Sequence, residues 1–138
     1  MHDGFYFWSM RKWIAVAAIS AAFAVILGAL GAHALKTALP EAQLISFETA
    51  VRYHLFHALA ILLTVVVSKQ FEVTLQVTLW LFAIGTLLFS GSIYLLATIP
   101  LHGAEAMRML GPITPIGGIL LIAGWLSIAI RILGIKKV

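Results

Sequence analysis

Histidine is the residue type in this chain best suited to chemistry, and its spacing points to one segment. His54 and His57 stand three residues apart in EAQLISFETAVRYHLFH, residues 41–57, a stretch that reads as a helix. At about 100° per residue they lie about 60° apart on one face, so both imidazoles can reach a single metal ion. A third from His33 or His102 can complete a metal site, and the same set can serve haem iron. Glu48 and Arg52 share another edge of that helix, about 40° apart, where an i,i+4 ion pair is expected. Against the metal reading stands an ordinary one. Histidines near a membrane surface satisfy helix-end carbonyls or water without any ligand, and H-x-x-H alone is a weak signal. The ordinary reading is preferred, with no metal and no cofactor expected.

No catalytic constellation is complete either. The chain has no cysteine, which excludes disulfides, thiolate metal sites and cysteine nucleophiles. There is no nucleophile–base pair, buried acid or phosphate loop. A lipid-directed enzyme with His54 or His57 as base, and Arg52 or Arg108 holding phosphate, lacks a partner for that base. No catalytic residue is expected.

The elements that must position these side chains are apolar runs. Trp13–Leu30, Tyr53–Ser68, Thr74–Ile99 and Ile113–Leu133 contain no Asp, Glu or Lys, and Arg131 is the one formal charge within them. A bilayer core about 30 Å thick takes roughly 20 such residues as a helix. Backbone groups inside it must be satisfied within the segment, so helix is the expected state. A mean hydropathy of +1.08 and 10% charged residues fit the same class.

The expected fold is all-α, an integral-membrane four-helix bundle with an interfacial amphipathic helix in the first loop. Its spans cover about 13–32, 53–68, 74–99 and 112–133, the interfacial helix about 41–53, and the tails 1–12 and 134–138. Residues 1–9 read as a start-site extension ahead of Met10, or as aromatics (Phe5, Tyr6, Phe7 and Trp8) resting in the headgroup layer. Met10-Arg11-Lys12 with Ala32-His33-Ala34 downstream resembles a signal peptide, but the run between them is long enough to span.

Within the spans, small residues mark packing faces. Ala17, Ala21, Ala24, Gly28 and Ala32 recur at steps of three and four, with Gly31 beside them, and the last span carries Gly117, Gly118 and Gly124. Gly91 sits in Phe89-Ser90-Gly91-Ser92-Ile93-Tyr94, where each serine is expected to bond back to its own helix. Pro40 is expected to turn the chain after the first span. His33, Glu48, Arg52 and His54, with His57 nearby, are then expected to form one hydrogen-bonded cluster at the outer surface.

Several of these segments together resemble a known family. They are Gly28-Ala29-Leu30-Gly31-Ala32-His33-Ala34-Leu35, Phe47–Leu59, Phe89–Tyr94 and Pro112–Gly118 followed by Gly124-Trp125. The pattern looks like the DUF423 family of small bacterial inner-membrane proteins, which is similar to the eukaryotic transmembrane protein 256 group. The resemblance runs from Met10 to about Ile132. It implies four spans and an inner-membrane location but no activity, so no functional residue transfers. The leading reading is a non-enzymatic accessory or lipid-contacting protein. A metal- or haem-binding protein and a small transporter or channel are the alternatives. Expected partners are the lipid bilayer and a membrane protein or second copy, not nucleic acid, because the net charge of +4 is explained by residues that set orientation.

Lys and Arg orient the chain. Arg11, Lys12, Lys69, Arg131, Lys136 and Lys137 would share one side, against Lys36, Arg52 and Arg108 on the other. The richer side faces the cytoplasm. A reporter fused to the C-terminus is therefore expected to be active only in the cytoplasmic form, and activity confined to the outer side would reverse the assignment.

Overall fold

The computed structural model describes residues 2–135, with side chains from residue 10 to residue 135. The expectation for the aromatic side chains Phe5–Trp8 lies outside the described side chains, and that for Lys136 and Lys137 outside the described residues. Four helices are long and apolar enough to cross a membrane: Met10–Ala38, Glu41–Gln70, Gln76–Ala97 and Glu105–Leu133. They are called the first to fourth spans below. No strand occurs among the described residues.

Local chemistry sets their ends. The first span changes from α-helix to a single π-turn at Gly31–Leu35 and ends on the short turn Lys36–Ala38. Pro40, with φ −57° and ψ 149°, then starts the second span from an extended conformation that proline adopts readily. After the third span a short helix, Ile99–His102, is closed by Gly103 in the left-handed conformation, φ 64°. Glycine has no Cβ to clash there. The fourth span begins as the 3-10 helix Glu105–Leu110 and continues as the α-helix Ile113–Leu133.

The spans expected at 13–32, 74–99 and 112–133 shift at one or both ends, and the largest difference is at the start of the second. Residues 41–53 are not a separate interfacial helix, because Glu41–Gln70 is one continuous 30-residue helix. No glycine or proline interrupts it. At 1.5 Å per residue it is about 45 Å long, enough to cross the hydrocarbon and extend into a headgroup layer. Its polar N-terminal turns can thus stay near water while the helix runs on. The consequence falls on the histidines. His54 and His57 lie about 20 and 24 Å from the Glu41 end, near the middle of the helix.

Packing follows chain order. The first span lies on the second, the second on the third and the third on the fourth. A central core of Trp13, Ala17, Ala60, Ile61, Val65, Leu79, Phe82 and Leu121 joins all four spans, and a smaller cluster of Leu35, Leu39, Phe47 and Ala97 closes one end. The tightest seam is between the third and fourth spans. A Cβ on Gly117 would lie 2.4 Å from the Phe89 backbone nitrogen. One on Gly124 would lie 2.6 Å from the Phe82 ring, and one on Gly85 2.7 Å from Leu121. Two hydroxyl pairs stitch the same seam, Thr78 with Ser127 and Ser92 with Thr114, each at 2.6 Å.

The other glycines differ. Gly28 and Gly31 face the Val51 and Phe47 side chains at 3.2 and 3.3 Å, Gly118 makes an ordinary contact at 3.7 Å, and Gly91 has only Leu87 at 3.9 Å. This contrast is testable by equilibrium unfolding in mixed micelles. Gly117→Ala is expected to cost about 1–3 kcal/mol through overpacking against backbone. Gly91→Ala is expected to be neutral or stabilising by up to about 1 kcal/mol, since alanine is the better helix former.

Candidate functional site: a polar cleft between the first and third spans

The first and third spans both pack on the second, and a cleft remains between them. Its floor is the second span, through His54 and Ile61. The first span contributes Val16, Ser20, Phe23 and Leu27, and the third Ala83, Thr86, Ser90 and Tyr94. Just beyond Val16 and Ala83, Trp13 and Trp80 meet edge to face, 5.0 Å between ring centroids, and bridge the two walls. The rim residues Phe23 and Leu87 are 58% and 71% exposed, so the cleft of about 370 Å³ opens sideways between them.

His54 is the centre of its polar lining. Nε2 is 2.9 Å from Ser20 Oγ on the first span, and Nδ1 is 3.3 Å from the Tyr94 hydroxyl on the third. Both partners are hydroxyls, which donate or accept, so either neutral tautomer is satisfied. One imidazole thereby ties three spans together.

His57 is bound differently. Its Nδ1 lies 2.7 Å from the Tyr53 carbonyl and its Nε2 3.3 Å from the indole nitrogen of Trp125. A carbonyl only accepts and an indole N–H only donates, so His57 is the neutral Nδ1–H tautomer with both nitrogens committed. It has no lone pair left for a metal. Phe82 packs on it from the third span, with ring centroids 5.6 Å apart.

The remaining sequence candidates do not converge. His33 is exposed in the π-turn, and His102 accepts the Ala104 N–H at 3.2 Å, a local turn contact. Glu48 and Arg52 are exposed and form no ion pair with each other: Arg52 donates to Thr49 at 3.0 Å. An exposed pair gains little over water, and Thr49 lies one turn away. The expected cluster of His33, Glu48, Arg52 and His54 is therefore not joined by hydrogen bonds. The physical reason is angular: on one continuous helix His54 lies about 200° around from Arg52 and faces the bundle interior. No group of three or more His, Asp or Glu that could hold a metal occurs among the described residues.

Two groups in the cleft were not singled out from sequence. Ser20 is the one hydroxyl in the run Trp13–Leu30, and Thr86 begins a stripe with Ser90 and Tyr94 at steps of four. Both signals were readable. Ser92 donates to the Phe89 carbonyl as expected of a span serine, but Ser90 does not bond back. Thr86 Oγ1 and Ser90 Oγ are buried with no hydrogen-bond partner, in residues only 7% and 1% exposed. Such orphan hydroxyls are exceptions that need a reason.

The His57–Trp125 link yields a measurable expectation. Trp125→Phe keeps an aromatic ring but removes the donor, leaving Nε2 unsatisfied, and should lower stability by about 0.5–1.5 kcal/mol in micelle unfolding. No loss would mean that the bond contributes nothing net.

Comparison with known proteins agrees with the four-span architecture. The family model described as "Protein of unknown function (DUF423)" matches residues 27–118, which include His54, His57, Thr86, Ser90 and Tyr94. A UPF0382 membrane protein of Haemophilus influenzae is 39% identical over 122 residues, 86% of this chain and 91% of the relative. A UPF0382 membrane protein of Staphylococcus haemolyticus is 37% identical over 88% of this chain and 94% of its own length. The UPF0382 inner membrane protein YgdD of Escherichia coli is 34% identical over 92% and 93%. No solved structure matches the chain. With four apolar helices, a model match over most of its length and relatives aligned nearly end to end, the chain belongs to the DUF423 family of membrane proteins.

Proposed function

We propose that this is a non-enzymatic, lipid-contacting protein of the bacterial inner membrane, with both termini cytoplasmic, whose cleft holds a lipid-derived molecule taken laterally from the bilayer. The observation that carries the reading is the cleft itself: open toward lipid between Phe23 and Leu87, yet lined at depth by His54, Ser20, Thr86, Ser90 and Tyr94. Polar groups at such depth are costly, and their presence points to use. The asymmetry of Lys and Arg supports the orientation. Neither metal binding nor catalysis draws comparable support, since His57 is committed on both nitrogens and no acid stands beside His54.

The reading is tested by filling the cleft. Ala83→Trp blocks it from within, and Leu87→Trp narrows its rim. After exchange into a mild detergent, the wild type is expected to retain lipid near one molecule per chain, quantified by extraction and mass spectrometry. Ala83→Trp should lose most of it while its thermal midpoint holds. Equal retention in all three proteins would sink the proposal.

A further inference from the structure

We infer that the cleft recognises its occupant by a neutral carbonyl oxygen, which accepts hydrogen bonds from the hydroxyls of Thr86 and Ser90. The inference rests on the lipid-holding reading above and adds the chemistry of selection. A span serine or threonine ordinarily gives its proton to a carbonyl one turn back, as Thr64 does to Ala60 and Ser127 to Gly124, each at 2.7 Å. Thr86 and Ser90 do not, although both are more than nine-tenths buried and line the cleft. What each lacks is an acceptor for its proton. Their side chains stand one turn apart, with Cβ atoms about 5–6 Å from one another, so one oxygen between them can take both bonds on its two lone pairs. A ligand hydroxyl acting as donor would leave those protons unplaced.

The rest of the lining narrows the class. Among the described residues no Lys, Arg, Asp or Glu lines the cleft, so a phosphate or carboxylate would enter without a counter-charge, at high desolvation cost. The walls are otherwise apolar, and the volume of about 370 Å³ falls in the range of small-molecule sites. The occupant is thus an uncharged carbonyl on an apolar body. Two membrane sources supply that chemistry: a quinone ring on a hydrocarbon tail, and the ester linkage of a glycerolipid.

The test uses the full-length protein in nanodiscs of dialkyl ether phosphatidylcholine, which contains no carbonyl. Radiolabelled decylubiquinone and dioleoyl phosphatidylcholine are the two carbonyl probes, and decylbenzene is the carbonyl-free control. Thr86→Val and Ser90→Ala are compared with the wild type. Each substitution is expected to weaken binding of one carbonyl probe about five- to tenfold, the loss of one hydrogen bond. Decylbenzene binding should be unchanged. The thermal midpoint without probe should hold or rise, because an orphan hydroxyl has been removed.

Whichever carbonyl probe shows this dependence identifies the source and supports the inference. If the variants bind both probes as the wild type does, carbonyl recognition is overturned, while retained decylbenzene binding leaves the lipid-holding reading standing. If no probe binds the wild type, both fall.

Discussion

Close backbone contact between the third and fourth spans is the constraint on which the remaining geometry depends. Within lipid, burial of apolar side chains gives helices little reason to associate, because the surrounding chains are equally apolar. What holds them is dispersion at short range, which needs small residues, and hydrogen bonds across the seam. Gly85, Gly117 and Gly124 supply the first, and the Thr78–Ser127 and Ser92–Thr114 pairs supply the second. The seam occupies the face of the third span that carries Phe82, Gly85, Phe89 and Ser92. At 100° per residue, the stripe of Ala83, Leu87, Ser90 and Tyr94 lies on roughly the opposite side. Committing one face to the fourth span therefore turns the other toward the first, and the cleft follows.

The first span makes no comparable seam. It rests on the second through Ala17, Ala24 and Gly28 and reaches the third at Trp13–Trp80 and through the His54 bridge. A helix joined along one side and pinned at two points leaves a gap between the pins. That gap is the cleft, and its polar lining comes from three spans, most of it from Thr86, Ser90 and Tyr94 on the third.

The two histidines show how similar residues diverge by surroundings. Three positions apart on one helix, both are part-buried between spans and both are held. His57 is fixed in one tautomer by a carbonyl and an indole, a purely structural arrangement. His54 is held by two hydroxyls that can reverse their roles, beside two further hydroxyls with no partner. Satisfied polar groups explain themselves as packing. The unsatisfied ones are what single out the cleft.

Four spans, their apolar character and the turn at Pro40 were legible in the sequence, because bilayer thickness and backbone satisfaction act on each segment alone. The family was legible too, from motifs distributed over four segments. Periodicity placed His54 and His57 on one helix, yet composition alone put a helix boundary near Tyr53 that a continuous 30-residue helix does not have. The same reading grouped His54 with Glu48, Arg52 and His33, whereas His54 is held by Ser20 and Tyr94 and Arg52 by Thr49. Ser20, Thr86 and the stripe through Ser90 and Tyr94 were present as residue types, but a lone hydroxyl in an apolar run reads as a packing residue until its neighbours are known. Which glycines matter was likewise undecided: Gly117 and Gly91 look alike in sequence, and only the approach of the Phe89 backbone separates them. Segment-by-segment physics settles what crosses the membrane. Which polar groups meet, and which are left without partners, depends on the rotation of each helix about its axis, and that is set by contacts between spans.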